Sequence, residues 1–331
     1  MLALSFEAPG RVEFVERRTP RIVSDTDVIV RVTTTAIGPR DIARYGGPDP
    51  WPGTVPGAEF CGVVDETGAE VGSVGLGDLV TGIGVFDQGG VRRAFGCDGL
   101  DGGNALYVRV PDADNTLLKV PTAAIEERAL LLGDTYALGA AAAKLALATG
   151  AARIGVIGCD PYGAAALIAL RDAGIKDVVA LDDDDRRLGL ARRLGAVSFD
   201  TAEPQVCDTV REETGGDGPG AVIVGAGVGQ DKIDIARRLA GPDGVVIHTE
   251  PAVPGFPLPE PAELAGATLP VVLRVAPPDR TTVSKTMLAL WGGTLDLAPI
   301  VSHVMPISDA AEGYRQLDAR ERGVHKVLLK I

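Results

Sequence analysis

The stretch Arg153–Asp182, RIGVIGCDPYGAAALIALRDAGIKDVVALD, decides the fold. Ile154, Val156 and Ile157 form a short apolar run that ends at Gly158. A small-residue helix follows through Ala164–Leu170, and a second apolar run, Val178–Leu181, ends in Asp182. Strand, glycine turn, helix and strand in this order are the layout of a dinucleotide-binding βαβ unit. The helix start after Gly158 offers backbone N–H groups and positive dipole to a pyrophosphate. Asp182 is placed to accept from both ribose hydroxyls of NAD, which favours NAD(H) over NADP(H) because a carboxylate repels a 2′-phosphate. Arg187, with Arg186, lies close enough to bear on that choice.

The glycine fingerprint departs from its pattern at one place. Gly158, Cys159, Asp160, Pro161, Tyr162 and Gly163 put an aspartate where the second glycine lets backbone approach the pyrophosphate. Three outcomes follow: a displaced cofactor, an Asp160 turned outward, or weak binding. The alternative is an ordinary βαβ turn. Of Asp182 to Asp185, only the first lies at the strand end; the others read as a solvated loop and helix start balanced by Arg186 and Arg187.

At 331 residues the chain exceeds what a single core holds, since cores stop growing at roughly 250–300 residues, so two domains are expected. A net charge of −13 disfavours nucleic acid and anionic membranes as partners. No apolar run reaches the roughly 18–20 residues of a membrane span, and MLALSFEAPG is not a signal peptide, so a cytoplasmic location is expected. Cys61, Cys97, Cys159 and Cys207 are scattered, which supports neither a zinc ribbon nor a disulfide framework. Buried thiols are the expected state of Cys61 and Cys159. His248, His303 and His325 form no metal-ligand pattern.

Residues 1 to about 120 read as β structure, with strands at Leu2–Phe6, Arg11–Glu16, Asp27–Thr35, Glu59–Glu66, Leu79–Thr81 and Ala105–Val110. Turn signals such as Pro9-Gly10, Gly46-Gly47-Pro48 and Gly89-Gly90 separate them, and short strands so spaced suggest a small barrel. Helices are predicted over Ala123–Leu132 and Tyr136–Ala148, with Gly150 as a stop. Strands and helices then alternate: Ile154–Ile157, Ala164–Asp172, Val178–Leu181, Arg186–Leu194, Ala221–Val224, Lys232–Leu239 and Val245–His248. That alternation predicts a parallel sheet covered on both faces. Gly225, Gly227 and Gly229 follow a strand at the carboxyl end of that sheet and read as a cofactor-facing loop. Pro251–Pro261 breaks the pattern. The tail reads as helix Val283–Trp291, strand Val301–Met305, helix Ser308–Arg320 and strand Lys326–Ile331.

Several blocks in this order resemble one family, the medium-chain dehydrogenase/reductases related to zinc alcohol dehydrogenase. They are VPGAEFCGVVDETGAEVGSVGLGDLV, ALYVRVPDADNTLLKVP, LGLARRLGA after the βαβ unit, and LDLAPIVSHVMPISDAAEGYRQLDARERGVHKVLLK. The resemblance implies an α/β protein with a GroES-like β-barrel catalytic domain, residues 1–148 and 280–331, and a Rossmann doubly wound parallel sheet, residues 149–279. It implies an NAD(P)(H)-dependent oxidoreductase acting on a small-molecule substrate, assembled as a homodimer or homotetramer.

The family's zinc ligands are missing from this chain. The cysteine of C-x-x-D is Gly38 and the histidine of P-G-H-E is Ala58, which leaves only Glu59 and Asp134 of the ligand positions. Two carboxylates without thiolate or imidazole do not make a catalytic zinc site. The structural-zinc lobe, four cysteines in the family, has only Cys97. The relay serine or threonine is Arg40, and the histidine two residues after Asp41 is Ala43. The expectation is a zinc-independent enzyme in which Arg40 pairs with Glu59 or Asp134 and handles the substrate oxygen. Tyr136 and Tyr45 are candidate proton donors, and Trp51 a candidate pocket residue. Gly38-Pro39-Arg40-Asp41 also resembles in part the N-P-x-D of quinone and enoyl reductases, which points to an activated C=C or carbonyl substrate. A nucleotide-binding protein without turnover, or an enzyme using bound NAD transiently in a non-redox reaction, are the alternatives. The expected cofactor-contacting set is Gly158, Asp160, Tyr162, Gly163, Asp182, Arg187 and Gly225, with no zinc.

Overall fold

The computed structural model describes residues 1–47, 53–97, 99–216, 218–226, 228–241, 243–249, 271–276 and 278–331. Pro48, Trp51, Gly227 and Pro251–Pro261 lie outside the described residues. Two compact units emerge: residues 1–134 with 278–331, and residues 135–249 with 271–276.

The first unit starts with β1 (Leu2–Ala8), β2 (Arg11–Glu16), β3 (Val28–Ile37), α1 (Pro39–Gly46), β4 (Phe60–Thr67), β5 (Leu79–Gly82) and the hairpin β6 (Val85–Gln88) and β7 (Val91–Ala94). It continues with β8 (Tyr107–Val110), α2 (Ala113–Thr116), β9 (Leu117–Lys119) and α3 (Glu126–Ala129). The second unit runs α4 (Thr135–Ala148), β10 (Ile154–Ile157), α5 (Pro161–Asp172), β11 (Val178–Asp182), α6 (Asp185–Arg193), β12 (Val197–Asp200), α7 (Val206–Glu213), β13 (Ala221–Val224), α8 (Gln230–Ala240), β14 (Val245–His248) and β15 (Val271–Arg274). The chain closes in the first unit with α9 (Arg280–Trp291), β16 (His303–Pro306), α10 (Ala310–Asp318) and β17 (Val327–Lys330).

In the first unit the main sheet has the order β16-β17-β3-β4-β5-β9, with β8 also paired to β3. The pairs are antiparallel except β16 with β17. Its core gathers Val28, Val30, Val32, Phe60, Val80, Phe95 and Val108, the alternate residues that a period-two pattern sends inward. The second unit is a wholly parallel sheet, β12-β11-β10-β13-β14-β15. All four residues of β10 and of β13 are buried, as expected where helices cover both faces. Helix α4 packs along α5 because its face is alanine and glycine: a Cβ on Gly139 would lie 2.5 Å from the Tyr162 carbonyl oxygen. Among the described residues no single helix is long and apolar enough to cross a membrane.

Several elements depart from the sequence reading. The turn-rich segment before Gly47 holds α1, started by Pro39 at its first position and by Asp41, whose Oδ2 accepts from the Gly38 N–H at 2.8 Å. The Gly89-Gly90 turn is the tip of the β6–β7 hairpin. The helix expected over Ala123–Leu132 divides into a short α3 between two 3₁₀ turns, Ala123–Ile125 and Leu130–Gly133. The second of these ends at Gly133, where a Cβ would lie 2.0 Å from the Gly82 carbonyl oxygen. Strand β12 and helix α7 complete the parallel sheet where no element is predicted.

Gly158 takes φ +81° at the turn after β10, and Gly163 presses α5 onto it: a Cβ on Gly163 would lie 2.0 Å from the Gly158 carbonyl oxygen. Gly163→Ala therefore forces backbone apart rather than a flexible side chain. Chemical unfolding is expected to show a loss of about 1–3 kcal/mol or more. Unchanged stability would show that the turn relaxes freely.

Candidate active site

The buried polar cluster of the first unit is built from the short segments around α1. Asp41 ties two of them together: Oδ2 accepts from Gly38 N, and Oδ1 from Gly57 N at 2.9 Å. Burial raises the Asp41 pKa, and the two backbone N–H bonds oppose that rise. This brace fixes α1 beside the 57–59 segment and aims Arg40 inward. Arg40 Nη2 donates to Asp134 Oδ1 at 2.9 Å, with both side chains almost wholly buried. Asp134 follows the 3₁₀ turn that Gly133 allows. It packs against Gly84, where a Cβ would meet Asp134 Cβ at 2.8 Å and the Ala58 carbonyl oxygen at 3.1 Å. Asp134 thus lies beside Ala58.

Glu59 precedes β4, and its carbonyl accepts from the Thr35 hydroxyl at 2.8 Å. Its carboxylate is paired with the Lys326 ammonium, on the residue before β17, and both are fully buried. Arg40 with Asp134 and Glu59 with Lys326 are thus two buried ion pairs of this cluster. Lys326 is the residue the sequence reading misses. Its partner lies 267 positions away, so only the β17–β3–β4 pairing brings the two together.

Tyr45 stacks in the core with Tyr314 and Phe6, at ring-centroid distances of 5.4 and 6.3 Å. Tyr136 belongs to α4 in the second unit, and the charged groups acting on its phenol are Asp172 and Arg171. Burial pushes that phenol up to about 12, a weak proton donor at neutral pH. The four cysteines are buried, and desolvation raises each thiol, Cys97 to about 11.

In the second unit the residues chosen for cofactor contact do come together at the carboxyl end of the sheet. Asp182 is fully buried. Its Oδ2 accepts from Cys159 N at 2.6 Å, and its Oδ1 from Asp183 N and Asp184 N at 2.9 and 3.0 Å. Arg187 Nη1 stands 3.8 Å from Asp182 Oδ2. Asp183 and Asp185 are exposed and Asp184 stands at the helix start, as the sequence suggests. Asp183 Oδ2 pairs with the buried Lys232 at 2.9 Å, and Asp184 caps α6 through Arg186 N and Arg187 N. Asp160 caps α5: its Oδ1 accepts from Tyr162 N at 2.8 Å and Gly163 N at 3.1 Å. Burial raises the Asp160 carboxyl to about 7; Arg187 and the two N–H bonds pull it down, and Asp182 pushes it up. His248, at the end of β14, is held neutral by burial and by Arg274 and Arg237, with its pKa lowered to about 4.

The model of the alcohol dehydrogenase GroES-like domain matches residues 24–122. The zinc-type alcohol dehydrogenase B of Aspergillus flavus is 32% identical over 100% of this chain and 81% of its own length. The chain belongs to the zinc-type alcohol dehydrogenase family of medium-chain dehydrogenase/reductases. A medium-chain reductase/dehydrogenase of an Acremonium species is also 32% identical, over 75% of this chain and 94% of that one. The solved alcohol dehydrogenase TADH from Thermus sp. ATN1 superposes with a TM-score of 0.83 at 28% identity, covering 100% and 99% of the two chains. The GroES-like and Rossmann architecture is that of this oxidoreductase family. Arg40 and Lys326 are cations set against the buried carboxylates Asp134 and Glu59.

Removing one partner of a buried pair leaves a charge without compensation, which costs about 3–5 kcal/mol. Lys326→Met is expected to lose stability of that size in urea unfolding, and Glu59→Gln/Lys326→Met to regain most of it. A single variant as stable as the parent would contradict the pairing.

Asp160 gives a pH-dependent prediction. Its folded-state pKa is raised from 3.8 to about 7, so between those values the folded protein holds a proton that the unfolded chain has released. Its contribution to stability then falls as pH rises through that window. Asp160→Asn removes this dependence, so the variant's thermal midpoint should gain on the parent's from pH 5 to pH 8. A constant difference would show that Asp160 ionises normally.

Proposed function

We propose that this chain is a zinc-independent oxidoreductase that uses NAD(H) in preference to NADP(H), moving a hydride to or from a small carbonyl, activated alkene or alcohol. The observation that carries this reading is the buried Arg40–Asp134 pair. The donor set does not fit a catalytic zinc. Gly38 and Ala58 bring no side-chain ligand, Asp134 holds Arg40, and Glu59 holds Lys326. A dication placed among these groups meets two cations and no thiolate or imidazole.

The βαβ unit suits the adenosine half of a nicotinamide dinucleotide. Asp182 stands at the end of β11, and Arg187 is turned toward Asp182, which leaves a 2′-phosphate facing an acidic residue already backed by its cation. When bound, the cofactor supplies or accepts the hydride. The chain's own task is the substrate oxygen. A guanidinium carries a fixed charge and five N–H donors, and its pair with Asp134 holds it in one orientation. Charge developing on a carbonyl or enolate oxygen is stabilised by such a preorganised donor in a buried site. Hydride addition to a conjugated bond asks least of that donor, so quinones and enones are the first substrates to screen. A nucleotide-binding protein without turnover is the second reading, favoured by the single observation that the Asp160 carboxylate occupies the start of α5.

Arg40→Gln/Asp134→Asn replaces the ion pair by a neutral one of similar shape. NADH-dependent reduction of the best substrate from such a screen should fall by about 10²–10³ in kcat, the scale seen for removal of one oxyanion donor, with the thermal midpoint little changed. Full kcat in the double variant would take Arg40 out of the chemistry.

A further inference from the structure

We propose that Asp160 occupies the seat a cofactor's pyrophosphate takes, so that this chain accepts the nucleoside part of a nicotinamide dinucleotide and resists its phosphates. The inference rests on the reading that the βαβ unit binds NAD(H). It concerns how tightly, and through which half.

Four observations converge on one spot. First, the start of α5 has little to give an anion. Pro161 has no N–H, and the Tyr162 and Gly163 N–H groups already donate to Asp160 Oδ1. Second, the carboxylate fills the gap between two turns. A Cβ on Gly225, after β13, would lie 2.3 Å from Asp160 Oδ2, and one on Gly158, after β10, would lie 3.6 Å from it. Strands β10 and β13 are neighbours at the point where the strand order reverses, which is where doubly wound sheets bind dinucleotides. Third, Asp160 is 6% exposed, and its Oδ2 has no hydrogen-bond partner among the described residues. A buried acceptor without a donor is a costly arrangement that a hydroxyl or amine of a ligand relieves and a phosphate oxygen does not. Fourth, the surroundings are balanced without any further anion. Asp182 and Asp183 from β11 and its following turn face Arg187 of α6 and Lys232 of α8, the latter bonded to Asp183. A pyrophosphate adds two charges to a site whose helix start and two cations are already matched by carboxylates. Entry of the phosphates requires the Asp160 side chain to rotate out or to take up a proton, and burial already brings that carboxyl near neutrality.

The test measures binding rather than turnover. NADH and adenosine are titrated calorimetrically into the full chain, into Asp160→Gly, and into Asp160→Ser, which keeps a capping oxygen for α5 without the charge. Circular dichroism and the thermal midpoint establish that each is folded. The expected result is NADH binding at least tenfold tighter in both variants than in the parent, with adenosine, which carries no phosphate, bound alike by all three. Equal NADH affinity in the parent and both folded variants overturns the proposal and leaves the NAD(H) reading standing. Failure of all three proteins to bind either ligand overturns both.

Discussion

A carboxylate buried in a protein must have its charge answered nearby. Glu59 and Asp134 are each about 1% exposed, in a unit whose core is valine, leucine and phenylalanine. A charge so placed costs several kcal/mol of desolvation unless a cation and hydrogen bonds compensate it. Here Arg40 answers Asp134, and Lys326 answers Glu59. The neighbourhood is arranged around those two pairs. Asp41 braces α1 so that Arg40 points inward, Gly133 and Gly84 let Asp134 approach, and β17 delivers Lys326 to the start of β4. An arginine suits this role, because its charge is fixed and its planar fork gives direction.

The same constraint shapes the second unit at its own site. Asp182 is fully buried, which raises its pKa, and the three backbone N–H groups it accepts from, with Arg187 nearby, oppose that rise. Asp160 is supported on one oxygen only. The contrast lies in their hydrogen bonds: both oxygens of Asp182 accept from backbone N–H groups, whereas Asp160 caps α5 through one oxygen.

Much of the architecture is legible in the sequence because it follows from local rules. Strands β10, β13 and β14 are short apolar runs between turn signals, and their limits match the sequence reading residue for residue. The parallel sheet follows from the alternation of strands and helices. The elements that escape notice lack such signals. Strand β12 reads Val-Ser-Phe-Asp, with only Phe199 buried, and α1 begins in a segment rich in turn formers. At the site, a partner for Arg40 follows from local charge balance among Arg40, Glu59 and Asp134. Lys326 and Lys232 do not, because each meets its carboxylate only through strand pairing or a helix–loop contact distant in sequence.

We propose that cations of the protein stand where the family resemblance would place a metal. Zinc content is the most direct measure of it. The chain, produced in zinc-supplemented medium and dialysed, is analysed by inductively coupled plasma mass spectrometry beside Asp134→Asn. The account predicts no stoichiometric zinc in either protein. A stoichiometric zinc in the parent chain that Asp134→Asn loses would contradict it.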